Sequence, residues 1–242
     1  MKTLETASVI VVAAVCIVLS IIPAFPIIGA QGVITLGALS GVVTGLFLGV
    51  ERGIFAVILV VIATLLLNPG LLSILGPLYY MPILHGYFGS SIFFYRSPIL
   101  GVLVSILSPM IAFVLVNYPL ITHYWSFIIY DLAVPFAILF LVLVAENTRT
   151  KHDIRLLGAV VTGVLADHIG GSLAFTLNYL YLQNNIGTLL SSTEALGRWA
   201  TIFNTATYIY PAERTTLIII GYILLKATYA PWRRLVLDKI KA

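Results

Sequence analysis

The chain of 242 residues is 60% hydrophobic and only 9% charged, with a mean hydropathy of +1.08. A soluble domain carries about 25% charged residues, so this composition excludes a water-soluble globular protein and predicts one integral membrane domain over residues 1–242. The pI near 9.2 then reflects loop charges that orient the chain in the cell membrane, among lipid, and not a surface for nucleic acid.

Apolar runs long enough to cross a bilayer follow one another along almost the whole chain. A spanning helix needs roughly 20 apolar residues, and the pattern predicts an all-α, polytopic transmembrane helix bundle with six to eight spanning helices. Segment 72–95 fits least well, because its two prolines and three glycines favour a broken or re-entrant helix. The predicted spans are 7–23, 31–50, 53–69, 72–95, 98–117, 124–145, 156–181 and 209–230.

Glycine recurs every four residues in GALSGVVTGLFLGVERG, residues 37–53. Residues four apart share a helix face, and in lipid such small residues let two helix backbones approach closely. We therefore predict that Gly37, Gly41, Gly45 and Gly49 form a packing stripe, either within the bundle or as a docking face for another subunit. Glu51 and Arg52 then form a tight cytoplasmic turn to the next helix.

Basic residues orient the predicted bundle. The segments 146–155 and 231–242 are the clearest basic stretches, and such segments stay in the cytoplasm. With eight crossings, both termini are cytoplasmic and eleven of the thirteen lysines and arginines lie inside. Only Arg198 and Arg214 then lie outside, which is the distribution expected of an inserted membrane protein.

Ionisable residues within the predicted spans are the candidate solute-binding groups. A charge at the bilayer centre costs at least about 2.5 kcal/mol, so such groups pair, meet water or meet a ligand. Asp131, Asp167, Glu213 and Arg214 all fall at mid-depth or in the outer half, which predicts an outward-facing polar cavity. Arg214 is the candidate to hold an anionic group. The alternative is that these groups only pair, or anchor helices at the interface.

The segment 182–208 is the longest polar stretch on the predicted outer side. Ser191 and Glu194 fit a capping box, and the following residues predict a short helix lying on the membrane surface. This helix either closes over a ligand or merely connects two spans. In the first case the rings of Trp199 and Tyr208, with Tyr210, stack on a ligand from that side.

Sequence motifs for catalysis and for nucleotide hydrolysis are missing. No nucleophile elbow, Walker loop, zincin helix or metal-ligand spacing occurs, so we expect no enzyme, no cofactor and no metal site. A membrane enzyme that uses Asp131, Asp167 and Glu213 as acids and bases is the weakest hypothesis. An active transporter built on this chain would need an ATPase on another subunit.

The block AAVCIVLSIIPAFPIIGAQGVITLGALSGVVTGLFLGVERGIFAVILVV resembles the opening of the substrate-binding S-components of energy-coupling factor (ECF) transporters. ADHIGG and YPAERTTLIIIGYILLKA resemble archaeal-type members of that family. The resemblance implies a subunit that binds a vitamin or small metabolite and works with a transmembrane coupling subunit and cytoplasmic ATPases. It also implies that loop 24–30 caps the substrate and that the first helix docks on the coupling subunit.

A structural or assembly subunit of a larger membrane complex is the competing hypothesis. The glycine stripe and the missing energy module fit that function as well, and cell-shape proteins of the rod-complex type share a similar helical hairpin. The two hypotheses differ in one observable feature. A solute-binding subunit needs a cavity shared by the buried charges, whereas a structural subunit needs a large apolar interface and no cavity.

Overall fold

A computed structural model describes residues 2–26, 33–121, 152–183 and 191–238. These residues form a helix bundle with one small β-hairpin, so the all-α prediction is confirmed. The predicted helix 124–145 and Asp131 lie outside the described residues. In the described part, four stretches are long and apolar enough to cross a membrane: Thr3–Ile21, Leu36–Leu67, Pro98–Tyr118 and His152–Leu182.

The elements of the first half alternate long helices with short interruptions. They are α1 (Lys2–Ile21), β1 (Pro23–Pro26), β2 (Val33–Thr35), a 3₁₀ turn (Leu36–Leu39), α2 (Ser40–Leu67), α3 (Leu71–Leu75), a second 3₁₀ turn (Gly76–Leu78) and α4 (Met81–Tyr95). Strands β1 and β2 pair antiparallel. The predicted span 31–50 is therefore wrong over 33–35, which are extended, and helical structure begins only at Leu36.

The described residues of the second half form three long helices. The first joins α5 (Pro98–Val102), a π-helical turn (Leu103–Leu107) and α6 (Ser108–Ile121). The second is α7 (His152–Leu177), which continues as a π-helical turn (Asn178–Gln183). The third is α8 (Thr193–Trp232), followed by a π-helical turn (Arg233–Leu237).

Helix α2 is broken at Gly49, where the chain reverses direction. Gly49 has φ 73° and ψ −172°, a conformation that favours glycine because it has no Cβ. A Cβ placed on Gly53 would lie 3.3 Å from Thr44 Cγ2, although nine residues of straight helix would separate them by about 13 Å. The predicted tight turn before Gly53 is therefore present, but Gly49 makes it. Gly49 is not a packing residue.

Aromatic side chains from other helices stabilise this reversal by hydrogen bonding to its backbone. A helix end leaves carbonyl groups without intrahelical partners. Here the Tyr87 hydroxyl donates to the carbonyls of Gly49 (3.3 Å) and Val50, and the Tyr95 hydroxyl donates to that of Leu46. Trp232 Nε1 also donates to the Phe47 carbonyl at 2.9 Å. These bonds satisfy the freed carbonyls without a connecting loop.

Helix α4 lies at the centre of the bundle, between α2 and α7. Glycines permit both contacts: a Cβ on Gly41 would lie 2.5 Å from the Ile83 carbonyl oxygen, and one on Gly86 would lie 3.1 Å from that of Gly163. Gly45 faces α4 in the same way, against Ser90. Gly37 instead faces α1, where its Cβ would lie 2.8 Å from Ser20 Oγ. The stripe therefore packs inside the bundle at three of its four positions.

Two other predicted elements differ from the structure. The segment 72–95 is interrupted at Gly76 (φ 60°), so the expected broken helix is confirmed. The separate short helix in 182–208 is wrong over its described part, because one continuous helix runs from Thr193 into the last span. Its N-cap is Ser192, which accepts from the Ala195 amide at 3.2 Å, and not Ser191.

Ion pairs gather at one end of the bundle, which we call the basic end. Arg52 pairs with Glu5 (3.0 Å), Arg96 with Glu51 (3.4 Å) and Lys226 with Asp153 (3.0 Å). An aromatic cluster next to these pairs joins the helices: the Tyr229 ring contacts Phe94 at 5.3 Å and His152 at 5.4 Å between ring centroids. Residues from five distant segments that were predicted to be cytoplasmic thus lie together.

Large apolar side chains cover much of the outer surface. On α1, Ile10, Val11, Val15 and Val18 are each about half exposed, and Leu66 and Leu115 are 77% and 68% exposed. Exposed apolar surface on this scale indicates contact with lipid or with other membrane subunits. This surface, together with the four long apolar helices, supports a membrane protein.

Candidate binding site

A cavity of about 180 Å³ lies near the end of the bundle opposite the basic end. Its walls come from α1, β2, α2, α3, α4, α7 and α8. The small residues Gly37, Ala38 and Gly171 leave space there, since a Cβ on Gly171 would meet nothing closer than Pro82 at 3.6 Å. The helices therefore close around a space large enough for a small molecule.

One wall of the cavity carries charged groups from the middle of α7 and α8. Arg214 Nη1 donates to Asp167 Oδ2 at 3.2 Å, and Arg214 Nη2 lies 3.3 Å from Glu213 Oε1. Asp167, Glu213 and Arg214 are 5%, 1% and 6% exposed, so all three are buried. Asp167 and Arg214 line the cavity, whereas Glu213 lies behind Arg214 and does not. Helix α8 thus presents one guanidinium to two carboxylates.

Two ring side chains extend this wall. The His168 ring contacts the Tyr210 ring at 5.0 Å in a T-shaped arrangement, and the Arg214 guanidinium lies 5.9 Å from the centre of the Tyr210 ring. Such cation–π contacts contribute about 0.5–2 kcal/mol. Both His168 and Tyr210 line the cavity. They hold Arg214 in place from the cavity side.

The facing wall, from α1, β2 and α2, carries neutral polar groups. Thr64 Oγ1 donates to Ser20 Oγ at 3.3 Å, and both side chains are buried. Thr35 caps the following 3₁₀ turn by accepting from the Gly37 amide at 3.1 Å. Asn68, one helical turn after Thr64, completes this wall. Because Ser20 Oγ donates to the Cys16 carbonyl at 2.9 Å and Thr64 Oγ1 donates to Ser20 Oγ, this wall offers a ligand acceptor oxygens and the Asn68 amide.

Apolar and aromatic side chains fill the space between the polar walls. Ile34 comes from β2, Tyr79 and Ile83 come from around the start of α4, and Phe175 comes from α7. An apolar cavity with a few converging polar groups is the usual composition of a small-molecule site. Strand β2 forms part of the wall, whereas residues 24–26 of the predicted capping loop belong to β1 and do not line the cavity, and 27–30 lie outside the described residues.

Several predicted site residues lie elsewhere. Trp199 is 1% exposed and stacks on Phe175 and Tyr179 at 5.7 and 4.9 Å, so it belongs to a second apolar core instead of the cavity. Tyr208 is 83% exposed on the outside of α8 and does not line the cavity either. Both predicted stacking contacts with a ligand are therefore wrong, and Tyr210 is the aromatic of that group that reaches the cavity.

Sequence reasoning missed the neutral polar wall. Ser20, Thr64 and Asn68 each occur singly in apolar runs, where hydroxyl groups commonly bond to their own helix backbone. One signal was available: Thr64 and Asn68 are four residues apart and therefore share a helix face. The contribution of Ser20 could not be found in this way, because α1 reaches α2 only through tertiary packing.

The side chains of Asp167, Glu213 and Arg214 are buried among the helices. In this setting two carboxylates and one guanidinium are costly to desolvate, and their pairing only partly compensates for that cost. Both carboxylate oxygens of Glu213 and the Nε of Arg214 lack a hydrogen-bond partner among the described residues. Buried ionisable groups within a membrane bundle that also line a cavity indicate a functional site.

Comparison with other proteins adds no identification. The chain matches no protein family, no curated protein and no solved structure, so function is argued below from the cavity and its charges.

Proposed function

We propose that this chain is the membrane-embedded, solute-binding subunit of an uptake transporter for a vitamin or small metabolite. The observation that carries the proposal is the cavity shared by Asp167 and Arg214, with neutral polar groups on the facing wall. A purely structural subunit has no need of such a cavity. Burying these charges lowers the stability of the fold, and a binding function explains why the chain retains them.

The cavity is partly open to the outside, and its volume gives the size of the part of a solute that it can enclose. An apolar cavity of about 150 Å³ holds one benzene molecule, and the cavity here is about 180 Å³. A solute with one ring and one or two polar substituents fits this space. The polar walls on two sides favour a ligand with a polar group at each end and a flat or apolar middle.

The arrangement of the ends supports an outward-facing site. We place the basic end in the cytoplasm, with both termini, because lysine and arginine are retained there. The cavity then lies towards the outer face, where a solute arrives. Six to eight crossings fit this orientation, since α2 contributes two antiparallel arms around Gly49.

Transport against a gradient would need partner subunits. The chain carries no ATPase motif, so we propose a transmembrane coupling subunit and cytoplasmic ATPases as partners. The exposed apolar face of α1, which includes Ile10, Val11, Val15 and Val18, is a suitable docking surface for the coupling subunit. This agrees with the role of the first helix implied by the resemblance to S-components.

Filling the cavity should remove a bound solute. Gly171→Leu places a branched side chain in the cavity, since only Pro82 lies within 4 Å of its Cβ. We expect mass spectrometry of extracts from the detergent-purified wild type to show a co-purifying small molecule. Its amount should fall about tenfold or more in the variant, which corresponds to at least about 1.4 kcal/mol of binding energy.

Gly197→Leu is the matched control for this experiment. A Cβ on Gly197 meets no atom within 4 Å among the described residues, and Gly197 does not line the cavity. This variant should retain the small molecule at the wild-type level. If the extracts of wild type and Gly171→Leu contain the same small molecules in the same amounts, solute binding in this cavity is contradicted.

Orientation can be tested by single-cysteine labelling in a Cys16→Ser background. The Arg96 and Arg198 side chains are 61% and 71% exposed, at the basic end and on the predicted outer side respectively. We expect a membrane-impermeant maleimide added to intact cells to label Arg198→Cys and to leave Arg96→Cys unlabelled until the cells are opened. Labelling of Arg96→Cys in intact cells would reverse the proposed orientation.

A further inference from the structure

The charge of the buried cluster bears on which solutes the cavity accepts, an inference that rests on the proposed function. Asp167, Glu213 and Arg214 carry a formal net charge of −1 when all three are ionised. Arg214 directs one terminal nitrogen at each carboxylate, at 3.2 and 3.3 Å. Its positive charge is therefore already balanced, and the fully ionised cluster has one negative charge in excess.

In the part of the chain that the structure describes, no second lysine or arginine is close enough to balance this charge, and the His168 imidazole, which lines the cavity, is the nearby group that can carry a positive charge. Among the described residues, the other lysines and arginines lie at the basic end, apart from Arg198, which is exposed and pairs with Glu194 at 3.6 Å. Outside the described residues, 27–32 and 184–190 contain no lysine or arginine, and the remaining basic residues, Arg149, Lys151, Lys239 and Lys241, belong to the segments 146–155 and 231–242 that are predicted to be cytoplasmic.

Acceptor atoms at the cavity are available to a ligand. Arg214 bonds to Oδ2 of Asp167, and no described residue donates to Oδ1. The rings of Tyr79, Phe175 and Tyr210 line the same space, and aromatic faces attract cations. A carboxylate oxygen without a described donor, in a cavity that aromatic rings also line, is suited to bind an ammonium or a positively charged ring.

We propose that the cavity selects a small cationic solute, whose positive group binds Asp167 Oδ1 and completes the charge balance of the Asp167–Arg214–Glu213 cluster. The neutral wall of Ser20, Thr35, Thr64 and Asn68 then binds the uncharged polar end of the solute. This replaces the expectation that Arg214 holds an anion. An anionic group at Arg214 would lie next to two carboxylates and would raise the negative charge of the ionised cluster to −2.

Three probes of similar size and different charge test this proposal: benzylamine, benzyl alcohol and benzoate. Each is added to the full-length protein in lipid nanodiscs at pH 7, and the Tm is measured for wild type and Gly171→Leu. For each probe we subtract the Tm shift of Gly171→Leu from the Tm shift of the wild type. The difference is the cavity-dependent shift, because the variant fills the cavity. At a benzylamine concentration of about ten times its Kd, we expect a cavity-dependent Tm shift of about 4 °C.

We expect the cavity-dependent shift to be smaller for benzyl alcohol and absent for benzoate. Two variants test the role of the carboxylates. Asp167→Asn should abolish the benzylamine shift by removing its partner. Glu213→Gln should weaken the shift while leaving the cavity wall unchanged, since Glu213 does not line it, and it provides a second readout if Asp167→Asn folds poorly.

The outcomes separate this inference from the proposed function. A cavity-dependent shift that is largest for benzoate, or equal for benzyl alcohol and benzylamine, overturns the cationic class and leaves the binding cavity standing. The absence of any cavity-dependent shift for all three probes also overturns the cationic class. The proposed function fails only if the mass-spectrometric comparison of wild type and Gly171→Leu also finds no depleted compound.

Discussion

Gly41→Leu should prevent the protein from reaching a stable folded state. A Cβ at this position would lie 2.5 Å from the Ile83 carbonyl oxygen and 2.6 Å from the Tyr87 amide nitrogen. Both atoms belong to the backbone of α4, which cannot move aside as a flexible side chain can. Overpacking commonly costs about 1–3 kcal/mol, and a clash between two backbones lies at the upper end or beyond.

Size-exclusion chromatography and Tm measurement of the detergent-purified variant check this prediction. Most of the Gly41→Leu protein should elute as aggregate, because a loss of this size is a large part of the roughly 5–15 kcal/mol that stabilises a typical protein. Gly197→Leu, on an open helix surface, should behave as wild type. A monodisperse Gly41→Leu protein with the wild-type Tm would show that α2 and α4 do not pack through this glycine.

Arg214→Ala should be the most destabilising change within the charged cluster. It leaves Asp167 and Glu213 buried without their cation, and removing one partner of a buried ion pair costs about 3–5 kcal/mol. We expect the Tm to fall by about 10 °C. The sequence alone predicted that Arg214 holds an anionic group of a ligand. In the structure its guanidinium instead pairs with two buried carboxylates.

Two comparisons make this prediction specific. Arg198→Ala removes an exposed guanidinium and should change stability by less than about 0.5 kcal/mol. Arg214→Met combined with Asp167→Asn and Glu213→Gln removes all three charges together and should recover most of the lost Tm. If Arg214→Ala is as stable as Arg198→Ala, or if the triple variant is no better than Arg214→Ala, the buried network does not exist as described.

The hypothesis of a structural subunit loses one of its supports. It relied on the glycine stripe as a docking face, but Gly37 faces α1, Gly41 and Gly45 face α4, and Gly49 makes the reversal of α2. A partner would have to use another surface. The exposed apolar face of α1 is available, and a solute-binding subunit needs such a surface as well.

The sequence by itself predicted the helices, the interruption in one of them and the burial of charged residues. Hydropathy over about 20 residues predicts helices because lipid requires every backbone group to bond within its own segment. The broken helix at 72–95 was readable for a related reason, since Gly76 and the prolines interrupt that bonding pattern. The buried positions of Asp167, Glu213 and Arg214 followed from their places within apolar runs.

Only the tertiary structure decided which of these groups meet and what they surround. Gly49 can form the reversal of α2 only if Tyr87, Tyr95 and Trp232 reach the freed carbonyls. These three side chains come from two other helices, α4 and α8. Trp199 and Tyr210 belong to the same helix, yet one is a core residue and the other lines the cavity, because rotation around α8 directs them to different neighbours. The neutral wall joins Ser20 and Thr64 from helices 44 residues apart in sequence. Hydropathy indicates which segments lie in the membrane. Which side chains line a cavity depends on how each helix is rotated and which helices pair, and only tertiary packing determines both.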